Sequence, residues 1–244
     1  VTMSHEPFAA VVFDVDGTLV DSERDGHRPS FNAAFAANQL PYSWDVGEYG
    51  RLLDITGGRR RLAAYLESRG HDASEAADLA ARLHRDKTER MRDLVTNGGI
   101  AARPGLRELL RELTSAGVRL AVATTGTREW VEPLLDRLFG PDLFEEVVTG
   151  TEIRALKPDP AVYLEVLRRL GLPASRAVAV EDSANGLRAA VAAGLSCVVV
   201  TNDYTRRQNF TGAAAVYPGF AACRADHGGP LSAGIGVTGR ERVR

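Results

Sequence analysis

Lysine is nearly absent from this chain. Of its 30 basic residues among 244, only Lys87 and Lys157 are lysine, which leaves 28 arginines. Genome composition accounts for the arginine excess but not for the two positions where lysine survives. A compact ammonium and a planar guanidinium are different tools, and a site that needs the first does not freely accept the second. Both lysines are therefore candidates for chemistry, Lys157 the stronger. Cysteine is scarce too. Cys197 and Cys223 are too few for a disulfide framework, and Cys197 sits in the apolar run Ser196-Cys-Val-Val-Val, which reads as a buried thiol in a reducing compartment. No sign of charge predominates: the net charge of -2 gives no reason to expect nucleic acid or an anionic membrane as partner. No stretch approaches the roughly 18 to 20 apolar residues of a membrane span. The start, Val1-Thr-Met-Ser-His-Glu-Pro, lacks the basic opening and apolar core of a signal peptide. These absences set the expectation of a cytoplasmic protein; a monomer is expected as well. What is present, 44% hydrophobic and 25% charged residues, is ordinary for a chain that buries a core.

Apolar periodicity organises the rest. Ala9-Ala-Val-Val-Phe-Asp reads as a short buried strand ending in a turn at Asp16-Gly17. From about Glu23 to Asn97 the pattern is helical, rich in Ala, Leu, Arg and Glu, with examples at 30–36 and 76–91. Thr96-Asn-Gly-Gly closes that region and Arg103-Pro-Gly opens a new helix. Strands at 118–123, 144–149, 177–182 and 197–201 then alternate with helices through Trp130 and Leu138, from about Pro160 to Leu170, and from Leu187 to Ala193. This alternation implies an α/β fold, a Rossmann-like parallel sheet with helices on both faces. The first strand belongs with the later ones, so the helical stretch is an insertion. The expected organisation is a core at 8–21 and 98–222 and a helical cap at 22–97. Residues 223–244, rich in Gly and polar side chains, are expected to be disordered.

In open parallel sheets the ligand crevice lies at the carboxyl ends of the strands, and four of those ends carry polar groups. Asp14 and Asp16, in Asp14-Val-Asp-Gly-Thr18, lie two apart in an extended segment and point the same way. Close carboxylates repel, which a divalent cation with oxygen ligands relieves; one can then act as nucleophile and the other as acid and base. An Asp-Gly turn explains Asp16 and Gly17 but not Asp14. Thr124, with Thr125 and Gly126, offers a hydroxyl followed by backbone N–H groups, an anion site; either threonine alone reads equally as a helix N-cap. In Lys157-Pro-Asp-Pro160 the prolines stiffen the approach to a helix and hold the lysine in a loop, where it can neutralise phosphate and nucleophile together. Glu181 and Asp182, before Ser183-Ala-Asn-Gly186, suit a further set of metal oxygens.

At these residues the chain resembles the haloacid dehalogenase-like superfamily, across nearly all of 8–222. The resemblance implies that Asp14 attacks phosphorus and becomes an aspartyl-phosphate. It implies that Asp16 protonates the leaving alcohol and then activates water, and that Thr124 and Lys157 hold the phosphoryl group. It implies magnesium bound by the Asp14 carboxylate, the Asp16 backbone carbonyl and Asp182, with Glu181 nearby, and a helical lid that excludes water and selects substrate. Ser22-Glu-Arg-Asp-Gly-His-Arg28, Phe31-Asn-Ala-Ala-Phe35, Trp44 through Leu53, Gly57-Gly58, Tyr204-Thr205 and Phe210-Thr-Gly-Ala213 are similar to the CbbY group within it. That likeness implies a phosphatase for xylulose 1,5-bisphosphate, a misfire product that inhibits Rubisco, alongside the Calvin–Benson–Bassham cycle. Two positions depart from the group: Arg59 stands where lysine is expected, and Thr124-Thr-Gly-Thr-Arg128 is not the common Ser/Thr-Asn form.

A bisphosphate needs a second anion site, for which the insert offers His27, Arg28, Arg59, Arg60 and Lys87, and the exposed backbone N–H groups of Gly57 and Gly58. Glu23 is a candidate to orient a sugar hydroxyl, and His27 reads equally as a structural histidine. Two other readings stay open. One is a sugar-phosphate mutase of the beta-phosphoglucomutase type, using the same aspartates; the other is a non-catalytic binding protein on the same scaffold, which retention of Asp14, Asp16, Lys157 and Asp182 disfavours.

Overall fold

The computed structural model describes residues 8–55 and 57–235. They fall into two compact units, one formed by the chain through Val20 and from Ala102 onward, the other by Asp21–Ala101.

The first unit is built on a six-stranded, wholly parallel sheet. Its strands are β1 (Ala10–Phe13), β2 (Arg119–Ala123), β3 (Glu146–Val148), β4 (Ala177–Glu181), β5 (Ser196–Val200) and β6 (Ala215–Tyr217), in the order β3-β2-β1-β4-β5-β6. Every residue of β1 and β4 is buried, as expected where helices cover both faces. The order reverses at β1, which pairs with β2 on one side and β4 on the other. That reversal opens the crevice at the carboxyl end of β1, where Asp14 stands.

Among the described residues, the α-helices of this unit are α5 (Leu106–Ser115), α6 (Arg128–Phe139), α7 (Ala161–Leu170), α8 (Ala184–Ala192), α9 (Phe220–Ala225) and α10 (Ser232–Ile235). α5 buries Leu106, Leu109, Leu110 and Leu113, the spacing of one helical face. α7 buries Val162, Tyr163, Val166, Leu167 and Leu170, and stops at Gly171 in the left-handed conformation (φ 65°).

The second unit contains a π-helical turn at Glu23–His27 and helices α1 (Arg28–Ala37), α2 (Val46–Leu52), α3 (Gly58–Ser68) and α4 (Ala73–Thr96). α4 starts where the Asp72 carboxylate accepts the N–H groups of Ser74 and Glu75. Its buried face reads Ala76, Ala80, Leu83, Lys87, Met91, Val95, so one of the two lysines occupies a core position. Phe31, Phe35, Trp44, Tyr49 and Tyr65 form the aromatic centre, with Phe31 and Trp44 ring centroids 4.9 Å apart.

The α/β class read from the sequence holds. Three details differ. β3 is only three residues long, against the six expected. β6 was not expected at all; its Ala-Val-Tyr is too short to register as a strand. The expected disorder from 223 is corrected: α9 and α10 lie there, Cys223 and Leu231 are buried, and Arg224 Nη2 pairs with Glu112 Oε1 at 2.5 Å. The remainder of that tail, 236–244, and the signal-peptide reading of 1–7 lie outside the described residues. No described helix is long and apolar enough to cross a membrane.

Candidate active site

The carboxyl ends of β1, β2 and β4 and the loop before α7 meet in one buried polar cluster. Lys157 Nζ is its centre, donating to Asp14 Oδ1 at 2.7 Å, Glu181 Oε1 at 2.6 Å and the Ala123 carbonyl at 2.8 Å. Lys157 is 6% exposed and Asp14 also 6%. Glu181 Oε1 takes a further donor, Tyr163 Oη at 2.6 Å, and the Lys157 ammonium lies 5.0 Å from the Tyr163 ring centroid. A Cβ at Gly186 would lie 1.9 Å from Glu181 Oε2, so α8 approaches this acid only through a glycine. Ser183 caps α8 by accepting from Gly186 N–H.

Asp14 is aligned by its own N–H, which donates to Val180 O at 3.0 Å. The chain then folds back on itself, with Gly17 N–H on Val20 O and Leu19 N–H on Val15 O. This leaves the Asp16 side chain half-buried while Val15 goes to the core. Thr124 is fully buried, and its Oγ1 accepts from Gly126 N–H at 3.0 Å. The N-cap of α6 is Thr127, so neither Thr124 nor the half-buried Thr125 has the capping role weighed against an anion site.

Ligand oxygens of Asp14, Glu181 and Asp182 all lie within 4.8 Å of one another. The Asp16 carboxylate is not part of this group. Burial disfavours the charged form of Asp14, and although Lys157 opposes it, Glu181 and Asp16 add to it; its pKa is raised to about 8. Burial likewise raises Asp182, with Asp14 and Glu181 adding to the rise. For Lys157 burial acts downward, but Asp14 and Glu181 outweigh it and hold the ammonium above the ordinary lysine value. Three buried acids whose ligand oxygens converge, two of them with the charged form disfavoured by burial, are a set that a hard divalent cation fits by offering the charge they need to ionise.

The helical unit carries its own polar set. Tyr49 Oη donates to Glu23 Oε2 and accepts from Arg61 Nη1 at 3.3 Å. Arg61 is buried, its Nε donating to Leu52 O at 2.9 Å. Lys87 is 8% exposed, with Nζ 5.2 Å from the Phe31 ring centroid. His84 sits among these cations: burial, then Lys87, His27, Arg59 and Arg61, lower its pKa to about 4. Gly57 starts α3 with φ 93°, and a Cβ at Gly58 would lie 3.0 Å from the His84 ring and 3.1 Å from Phe31. His27 is buried, Arg59 and Arg60 are exposed, and Arg28 reaches Trp44 O at 3.4 Å.

The model of the haloacid dehalogenase-like hydrolases matches residues 8–194. The chain belongs to that family. Within it, the chain is CbbY-like: it is 45% identical over 216 residues to protein CbbY of Cereibacter sphaeroides, covering 87% of this chain and 92% of that one. A CBBY-like protein of Arabidopsis thaliana is 40% identical over 217 residues, 86% of this chain and 68% of its own. Among solved structures, a mutant CbbY from Rhodobacter sphaeroides in complex with xylulose 1,5-bisphosphate superposes with a TM-score of 0.79 at 43% identity, over 88% of this chain and 95% of that one. The expectation of a haloacid dehalogenase-like enzyme of the hydrolase class therefore stands.

Sequence reasoning overlooked Tyr163, His84, Asn202 and the buried setting of Arg61 and Arg103. Tyr163 follows Lys157 by six positions, and His84 precedes Lys87 by three on α4. That second spacing puts both on one helix face, which was the available signal.

Proposed function

We propose that the protein is a magnesium-dependent phosphatase that removes a phosphate from a sugar bisphosphate, with xylulose 1,5-bisphosphate as substrate. The contact between Lys157 and Asp14 carries this reading, and the likeness to the CbbY bound to that sugar supports the substrate. A buried carboxylate hydrogen-bonded to a buried ammonium is fixed in place and electrically screened from an incoming phosphate dianion.

In the first step a carboxylate oxygen of Asp14 attacks phosphorus. The bond from phosphorus to the ester oxygen breaks, and Asp16 gives its proton to the departing alkoxide. In the second, water attacks the aspartyl-phosphate, Asp16 takes the water proton, and inorganic phosphate leaves Asp14 free. Lys157 and Thr124 balance charge on the transferring group, with Thr125 beside them. Asp14, Asp182, the Asp16 carbonyl and Glu181 are the groups to hold magnesium, which when bound supplies positive charge that keeps Asp14 ionised and screens the phosphate. Gly57, Gly58, Arg59, Lys87, His27 and Arg28 of the helical unit are proposed for the second phosphate, and Glu23 for a sugar hydroxyl.

Xylulose 1,5-bisphosphate with magnesium should release inorganic phosphate, and chelation should stop it. An acid quench with labelled substrate should trap a hydroxylamine-sensitive acyl phosphate on the wild type and none on Asp14→Asn, which should lack turnover while remaining folded. Isomerisation without net phosphate release would mean a mutase; turnover by Asp14→Asn would overturn the nucleophile.

A further inference from the structure

Asn202 lies in the turn that follows β5, half-buried. Its Oδ1 accepts the backbone N–H groups of Tyr204 at 2.9 Å and Thr205 at 3.1 Å. Those donors decide which end of the amide is which: the oxygen faces them, so the NH2 faces the other way. That NH2 donates to Asp182 Oδ2 at 2.7 Å and to the Gly17 carbonyl at 3.3 Å. The turn is closed from the other side, where Asn202 N–H donates to Thr205 Oγ1 at 3.1 Å. The Gly17 carbonyl has a second donor, Arg103 Nη1 at 2.6 Å. The same guanidinium reaches the carbonyls of Val200 at 2.9 Å and Thr201 at 2.6 Å, and Arg103 is itself buried, 5.5 Å from the Phe220 ring centroid. At Gly17 (φ 82°) there is no slack, because a Cβ would lie 2.3 Å from Asp182 Oδ2 and 2.7 Å from Asn202 Nδ2.

We infer that Asn202 is a positioning residue for the metal site: it fixes the Asp182 carboxylate and ties it to the Gly17 carbonyl, which Arg103 anchors to the end of β5. The inference rests on the proposed magnesium site. A carboxylate left to itself turns about its last torsion, which has only a broad preference. With Oδ2 held by an N–H that is itself aimed by two backbone donors, Asp182 cannot swing out of the group it forms with Asp14 and Glu181. The amide suits the task because it donates toward the acids without adding charge. Outer partners that orient a ligating carboxylate contribute about 10- to 100-fold in metal affinity or activity.

The test uses the whole chain, stripped of metal and titrated with magnesium in a calorimeter, for wild type, Asn202→Ala and Asn202→Ser. A serine hydroxyl can still accept the N–H groups that close the turn but is too short to reach Asp182, so Asn202→Ser removes the positioning contact while sparing the fold. The magnesium dissociation constant should rise about tenfold or more in both variants. The melting temperature of metal-free Asn202→Ser should stay near that of the wild type. With a generic aryl phosphate, raising magnesium should restore most of kcat, with KM little changed. Unchanged magnesium affinity in Asn202→Ser would overturn the proposal, as would a lowered melting temperature with unchanged affinity, which marks a loop staple. A wild type that binds no magnesium would overturn the metal reading itself and this inference with it; a wild type that binds beside an indifferent variant overturns this inference alone.

Discussion

Lys87 and Lys157 are both buried in a chain whose other 28 basic side chains are arginine. Lys157 shows why the ammonium persists. Its Nζ has three acceptors, Asp14, Glu181 and the Ala123 carbonyl, all within 2.8 Å, which matches the three donors of an –NH3+ group. A guanidinium has five donors in a flat fork and a larger head, and these acceptors cannot satisfy it. Lys157→Arg should therefore lower kcat by about 10²-fold or more although charge is conserved, and overpacking should cost about 1–3 kcal/mol of stability. Steady-state rates with an aryl phosphate and a thermal melt read the two effects separately. Near-wild-type kcat would remove Lys157 from the reacting centre.

Strands are the most legible elements and helix faces the least. β1, β4 and β5 are continuous apolar runs that end in acids or hydroxyls, so period and position together expose Asp14 and Asp182. β6 has three residues and Tyr217 stands directly before Pro218, leaving no period to find. Asn202 is a single loop amide, and a single residue carries no pattern. His84 lies on α4 among charged residues that read as a solvated face; only its approach to Gly58 of α3 reveals its setting. That setting has a measurable sign. Burial first, then the cations Lys87, His27, Arg59 and Arg61, bring its pKa from 6.5 to about 4. Between those values the unfolded chain binds a proton that the folded chain refuses, so stability should fall as pH drops from 6.5 toward 4. His84→Gln should flatten that part of the profile. Thermal melts of both proteins across the window check it, and parallel profiles would rule His84 out as the titrating group.

At the scale of the molecule, the alternation of strands and helices was enough to read the α/β core and the helical insert, because both depend on periodicity over many residues. The chemistry of the insert was less legible, since arginines on helices are ordinarily solvated: of Arg59, Arg60 and Arg61, the first two are exposed and only the third is buried. Burial distinguishes Lys87, Arg61 and His27 from Arg59 and Arg60. Under the proposed function, Lys87 would meet the second phosphate of the substrate. Binding energy from a remote phosphate, used to align the reacting one, raises kcat as well as affinity. A pentulose bisphosphate should therefore exceed the matching monophosphate in kcat/KM. Lys87→Met, which keeps the length of the side chain and its packing on Phe31 but removes the charge, should lower kcat/KM for the bisphosphate by roughly 10- to 100-fold, the cost of one charge-assisted contact. The same variant should alter hydrolysis of a generic aryl phosphate little, because that substrate has no second phosphate to lose. Parallel losses on both substrates would mean that Lys87 supports the fold of the helical unit and not recognition, and equal kcat/KM for mono- and bisphosphate in the wild type would remove the second anion site altogether.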